Sequence, residues 1–150
     1  ILDKSTDLLA LRQSGGFIRE CHADLHLANI CIYQHRVTVF DCLEFDPMLR
    51  VIDVMADLAF VVSDLLAWRR DDLASRLINQ YLSSSGDYAG LRVLPLYVAY
   101  RALVRARVRL LSHAAKQPDE PARLPAVNDY VDVAAATLSP GRPCLNCLRR

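Results

Sequence analysis

The length, composition and charge of this chain exclude several classes of protein. Its 150 residues, 53% hydrophobic and 23% charged, suffice for one globular domain with a sizeable core and exclude a disordered chain. A net charge of +1 creates no broad electrostatic field, so neither a nucleic acid nor a membrane surface is an expected partner. A compact substrate is the better expectation.

Cysteine usage and hydropathy favour a cytoplasmic location. Five cysteines form an odd number without the spacing of a disulfide framework, which is typical of a reducing compartment. The longest apolar stretch, residues 51–68, is interrupted by three aspartates that would be costly in a bilayer. The chain also opens with Ile1 rather than Met, inside a predicted helix, so we expect a fragment with further polypeptide upstream.

The N-terminal third is predicted to combine one helix with a small sheet. Helical spacing of leucines predicts a helix over residues 3–13, which ends where glycine can take a left-handed conformation. Three β-type runs follow, at residues 17–21, 30–33 and 37–40. The last two runs predict a hairpin, and polar side chains gather at the strand ends.

From Val51 onward the apolar spacing becomes 3.6 residues and predicts helices. The first, over residues 51–68, should be buried on most sides, because one face carries Ile52, Met55, Leu58, Val62 and Leu65. Three more are predicted at residues 71–82, 91–115 and 126–138, with a proline-rich linker at 116–125. The predicted fold class is α+β and mostly helical.

The strongest chemical motif is His22-x-Asp24-x-x-x-x-Asn29, followed by Asp41 at the end of a hairpin strand. Phosphoryl transfer needs a carboxylate near the attacking hydroxyl and hard oxygen ligands that hold Mg²⁺ against the nucleotide phosphates. Asp24 can supply the carboxylate. Asn29 and Asp41 can supply two oxygen ligands of different charge that converge on one metal ion, so the pattern predicts a phosphoryl-transfer site.

The run CHADLHLANICIYQHRVTVFDCLEFDP, residues 21–47, resembles the catalytic and metal-binding segment of the aminoglycoside phosphotransferase group in the kinase-like superfamily. Together with residues 52–54, 57–60 and 100–106, it is similar to the phosphotransferase-like half of bacterial proteins that fuse such a domain to a P-loop ATPase. The likeness extends over about residues 17–111.

This resemblance implies a role for each residue of the motif. Asp24 would be the catalytic base, and His22 would brace the catalytic loop. Asn29 and Asp41 would bind Mg²⁺ and, through it, the nucleotide.

The resemblance also implies an activity and a domain organisation. The activity is transfer of a phosphoryl group from ATP or GTP to a hydroxyl of a small-molecule substrate. Residues 1–139 would form a kinase-like C-terminal lobe, and residues 140–150 would form a flexible tail. Nothing in the sequence resembles the glycine-rich loop or the strand lysine of the N-terminal lobe, and no G-x-x-x-x-G-K-[ST] motif is present. The missing lobe and a fused P-loop ATPase are therefore expected partners, and the fragment alone is expected to be inactive.

Two other functions remain open at this stage. The lobe could be a non-catalytic scaffold for a partner ATPase. Alternatively, His22, Asp24 and His26 form an H-x-D-x-H run that could bind zinc in a metal-dependent hydrolase, although further ligands would be needed. The pair Cys144 and Cys147 is a weak signal for a zinc or redox motif, because no second pair accompanies it.

Two stripes of opposite charge are predicted on later helices: Asp53, Asp57 and Asp64 on one, and Arg101, Arg105 and Arg109 on the other. The expected arrangement is charge pairing at the margin of the core, which fixes the register of the helices. The alternative is that the acids attract a cationic substrate, or that the arginines reach a phosphate.

Overall fold

A computed structural model describes the backbone of residues 2–114 and 124–139, and the side chains of residues 6–112 and 124–139. The helices are α1 (Leu2–Ser14), α2 (Val54–Ala67), α3 (Asp71–Ser85), α4 (Leu94–Ala114) and α5 (Val127–Leu138). The strands are β1 (Ile18–Glu20), β2 (Ile30–Tyr33), β3 (Arg36–Val39) and β4 (Val51–Asp53). The predicted α+β class, mostly helical, is confirmed.

The strands form two separate antiparallel pairs. Strands β2 and β3 make the predicted hairpin, with Ile30 opposite Val39. Strand β1 pairs instead with β4, so that Ile18 lies opposite Asp53. The prediction of a helix from Val51 was therefore wrong for its first three residues, because β-branched side chains that fit the helical period also fit a strand with a partner at hand.

Helix α2 is the centre of the core. It is buried along almost its whole length, as predicted, and packs against α3, α4 and α5. Met55, Ala59 and Val62 on this helix have no exposed surface. Helix α5 contributes Tyr130, which is 1% exposed. The loop before the hairpin is bonded to the buried helix α2. No helix in the described ranges has both the length and the apolar character needed to cross a membrane.

Helix ends follow local capping chemistry. Helix α1 ends before Gly16, which has φ +75°. Helix α3 runs to Ser85, three residues beyond the prediction, and ends at Gly86 with φ +71°. In this extension the hydroxyls of Ser84 and Ser85 donate to carbonyls one turn earlier in the same helix, so both hydroxyls are bonded within the helix. Helix α4 carries Pro95 in its first turn, as predicted.

A buried ionic cluster joins α1 to the start of α2 and to the segment before α4. The Arg12 guanidinium is bonded to Asp53 at 2.6 and 2.8 Å and to Asp87 at 2.8 Å through two nitrogens. All three side chains are 1–2% exposed. Burial by itself would lower the pKa of Arg12, but the two carboxylates outweigh it and raise the pKa above its usual value. Arg12 therefore stays charged inside the core.

Candidate active site

Residues 21–29 form the loop that carries the predicted site. Two carboxylates of α2 accept hydrogen bonds from its backbone. Asp57 accepts hydrogen bonds from the backbone amides of His22 at 3.1 Å and Ala23 at 2.9 Å. Asp64 accepts one from the amide of Leu27 at 2.9 Å. Ala23 has φ +66°, a left-handed conformation that is costly for a residue other than glycine. The two bonds to Asp57 hold this conformation in place.

Asp57→Asn is therefore expected to loosen the loop. The asparagine offers one acceptor oxygen where two backbone amides now donate, and the lost or unsatisfied bond costs about 1–3 kcal/mol. Hydrogen exchange should become faster at the His22 and Ala23 amides, while the amides of α4 keep their protection. Asp71→Asn, at an exposed carboxylate in the first turn of α3, is the matched control. Unchanged exchange at both loop amides would contradict this account.

Asn29 brings the predicted catalytic and metal-binding residues together. Its amide nitrogen donates to the backbone carbonyl of Asp24 at 3.0 Å, to the Asp24 carboxylate at 3.3 Å and to the carbonyl of Asp41 at 3.3 Å. The side chain is 5% exposed and therefore fixed in orientation. Its amide oxygen, the atom that could bind a cation, takes part in none of these three bonds.

Asp24 and Asp41 open onto a common cleft. The cleft has a volume of about 340 Å³, and its other lining residues are Cys42, Leu43, Glu44 and Phe45. Asp41 follows the hairpin in a left-handed conformation, φ +58°, which aspartate tolerates better than most residues. The backbone of the hairpin is tied to the loop, since the amide of Phe40 donates to the Asn29 carbonyl at 3.1 Å. A carboxylate and an amide oxygen are hard ligands that suit Mg²⁺.

His22 links the loop to the end of the hairpin. Its Nε2 lies 2.8 Å from the Phe40 carbonyl, and its Nδ1 accepts a hydrogen bond from the Asp24 amide at 3.4 Å. These two contacts require the tautomer that carries its proton on Nε2. The His22 ring thus connects Phe40, the neighbour of Asp41, to Asp24, the predicted base.

His26 sets the ionisation of Asp24. Its Nε2 lies 3.5 Å from the Asp24 carboxylate, and its ring packs edge-on against Phe60. The hydrogen bond from His26 is the largest cause of a lowered pKa for Asp24; burial opposes the shift, and the charge of Arg105 and the bond from Asn29 add to it. Asp24 is therefore an ionised acceptor at neutral pH.

The zinc alternative lacks a ligand set in the part of the chain that the structure describes. There, no three His, Cys, Asp or Glu side chains form a group that could hold a metal ion. His22 and His26 use their Nε2 atoms on different partners, the Phe40 carbonyl and the Asp24 carboxylate. Cys144 and Cys147, like the predicted tail at 140–150 and most of the linker at 116–125, lie outside the described residues.

The predicted pairing of the two charged stripes is correct for one pair only. Asp64 pairs with Arg105 at 3.3 Å. Asp53 pairs with Arg12 instead, and Asp57 binds loop amides. The three aspartates are 1–9% exposed, so the expectation that they lie at the margin of the core was wrong. The seven-residue spacing of Asp57 and Asp64 was a usable signal, because both carboxylates bind backbone amides of the loop at residues 21–29, and Asp64 forms its ion pair in addition.

Comparison with known proteins identifies the general class of this chain as a phosphotransferase. The chain matches the family described as "Phosphotransferase enzyme family" over residues 2–94 and belongs to that family. The sequence resemblance to aminoglycoside phosphotransferases is thereby confirmed at the level of the family. Fusion to a P-loop ATPase stays a prediction.

Among individual relatives, "Uncharacterized protein Rv2004c" of Mycobacterium tuberculosis is 37% identical over 112 residues, which is 75% of this chain. "Uncharacterized protein Mb2027c" of Mycobacterium bovis matches with the same 37% identity over 112 residues. The chain spans 22% of the length of each of these relatives. No solved structure gives a significant match.

Proposed function

We propose that this chain carries the catalytic loop of an ATP- or GTP-dependent phosphotransferase that acts on a hydroxyl of a small molecule. The observation that carries the proposal is the position of Asn29, whose amide nitrogen contacts both Asp24 and Asp41 beside one cleft. Membership of the phosphotransferase family supports the same reaction class.

In the proposed reaction, Asp24 orients the acceptor hydroxyl and accepts its proton late, as the hydroxyl oxygen bonds to the γ-phosphorus. The bond from the γ-phosphorus to the bridging oxygen of the nucleoside diphosphate breaks, so the products are a phosphate ester and ADP or GDP. Asn29 and Asp41 are the residues that would hold Mg²⁺, which neutralises charge on the phosphates when it is bound. His22 and Asp57 keep the loop in position.

The proposed enzyme needs residues beyond those of this sequence. Because the glycine-rich loop and strand lysine are missing, an N-terminal lobe is the proposed source of the grip on the nucleotide base and phosphates. A fused P-loop ATPase is a second proposed partner, carried only by the sequence resemblance. The cytoplasm, which supplies Mg²⁺ and nucleoside triphosphates, is the proposed location.

Calorimetric titration of Mg-ATP and Mg-GTP into the protein expressed from its complete reading frame tests this function. We expect saturable binding of at least one nucleotide, which weakens when EDTA removes the magnesium. Absence of nucleotide binding would contradict the proposal and favour the scaffold alternative. Stoichiometric zinc by elemental analysis would instead favour the hydrolase.

A further inference from the structure

A second cleft adjoins the one that holds Asp24. It has a volume of about 440 Å³ and shares Leu43 with the catalytic cleft. Its walls come from the catalytic loop, β4, α2 and α4, and include Ala23, Ile52, Ala56, Tyr97, Tyr100 and Arg101. Because Ala23 directly precedes Asp24, a molecule in this cleft lies beside the predicted base.

Arg101 presents a positive charge to this cleft. Its guanidinium lies over the ring of Phe60 at 4.1 Å and near that of Tyr100 at 5.5 Å, while its Nε donates to the Ala56 carbonyl at 3.2 Å. These contacts fix the plane of the group. Neither Nη nitrogen makes a hydrogen bond to any other residue in the described ranges, so the edge that could bind an anion is available.

Two arginines in or beside the core, Arg12 and Arg105, show what Arg101 lacks. Arg12 is paired with two carboxylates, and Arg105 is paired with Asp64. Arg101 has no carboxylate within ion-pair distance among the described side chains. Burial is the largest influence on it and lowers its pKa, against the more distant negative charges of Asp57 and Asp24. A partly desolvated guanidinium without a counter-ion gains most from an anionic ligand.

The acids around the second cleft are already engaged. Asp53, which lines the cleft, accepts hydrogen bonds from Arg12, from the Met55 amide and from the Tyr97 hydroxyl. Asp57 accepts from two loop amides. Both carboxylates are thus held by donors of the protein itself, and Arg101 is the cationic side chain among the described residues that line the cleft.

We propose that the second cleft binds the acceptor of the phosphotransfer, and that this acceptor is a hydroxylated small molecule that carries a carboxylate or phosphate group. Arg101 binds that anionic group through its Nη edge, in the two-point manner that suits guanidinium to carboxylates and phosphates. The acceptor hydroxyl then faces Asp24. This assignment rests on the proposed function and names its class of substrate.

The test compares matched acceptors with the protein from the complete reading frame. The pairs are D-glycerate and glycerol, D-gluconate and D-glucitol, and glucose 6-phosphate and glucose, with kanamycin as the cationic probe. Dissociation constants are measured by calorimetry. We expect at least one anionic member to bind about 10- to 100-fold more tightly than its uncharged partner, the range for hydrogen bonds to charged groups. The pair that shows this preference distinguishes a carboxylate from a phosphate.

Arg101→Gln should bring the two members of that pair within about twofold of each other, while Arg107→Gln, at an exposed position of the same helix, should keep the preference. Circular dichroism confirms that each variant folds. If Arg101→Gln unfolds, Arg101→Lys serves instead and should lose part of the preference, because lysine lacks the two-point geometry. If a folded Arg101→Gln variant still binds the anionic member of the pair as selectively as wild type does, the inference is overturned.

Equal binding within all three pairs, or tighter binding of kanamycin than of every anion, would also overturn it. Neither result contradicts the proposed function, provided that Mg-ATP still binds and that any acceptor is phosphorylated. Absence of Mg-nucleotide binding is the separate result that overturns the proposed function.

Discussion

Asp24→Ala is expected to reduce phosphotransfer by about 10²- to 10⁴-fold, the usual contribution of a positioned general base. Its side chain is 40% exposed, so truncation removes little packing. Asn29 keeps its bonds to the carbonyls of Asp24 and Asp41, since both acceptors are backbone atoms. The melting temperature should therefore stay nearly unchanged. The measurement is the rate of nucleoside diphosphate release with an acceptor that binds in the calorimetric test described above, alongside a thermal melt.

Asp7→Ala is the matched control for this variant, because Asp7 is an exposed aspartate on α1 away from the loop. It should keep wild-type turnover. Turnover at the wild-type rate in Asp24→Ala would show that Asp24 is not the base. A large fall in melting temperature would show instead that the carboxylate supports the fold.

Arg12→Met is expected to lower the free energy of unfolding by about 3–5 kcal/mol, which is typical when one partner of a buried ionic group is removed. The substitution keeps an unbranched side chain but leaves Asp53 and Asp87 as neighbouring buried charges. Urea unfolding monitored by circular dichroism measures the change. Both carboxylates would have to be protonated or hydrated in the variant, and either process opposes folding.

Two further variants separate the charge effect from lost packing. Arg76→Met, at an exposed position of α3, should change the free energy of unfolding by less than about 0.5 kcal/mol. The triple variant Arg12→Met, Asp53→Asn, Asp87→Asn should be more stable than Arg12→Met alone, because it removes the unpaired charges. A loss below about 1 kcal/mol for Arg12→Met would contradict the role of the cluster.

The proximity of Asp24, Asn29 and Asp41 could be predicted from the sequence because these residues lie on nearby segments. Asp24 and Asn29 share one loop, and a single hairpin returns the chain to Asp41. The fold class and most helices could also be predicted, because α2, α3, α4 and α5 have strong periodicity. Their ends were less accurate: α2 and α4 begin three residues later than predicted, and α3 ends three residues later. Strand β4 could not be predicted, because its three residues carry too little pattern to distinguish a strand from the start of a helix. The distinction becomes possible only when its partner β1 is known.

Contacts between distant segments could not be read from spacing. Arg12 meets Asp53 and Asp87 across 41 and 75 residues, and no local pattern encodes either pairing. In the sequence, Arg101 could not be distinguished from Arg105 and Arg109, the other arginines of the predicted stripe. Its separation from every described carboxylate became visible only when the packing of α2 against α4 was known.

The most direct test of the account is the magnesium dependence of nucleotide binding in Asp41→Asn, because the central claim is that Asp24, Asn29 and Asp41 act around one cation. Asparagine tolerates the left-handed conformation at this position, so the variant removes the charge and keeps the backbone. Calorimetry should show that Mg-nucleotide affinity falls at least about tenfold relative to wild type, and that Asp71→Asn has no effect. Equal Mg-nucleotide affinity in Asp41→Asn and wild type would contradict it.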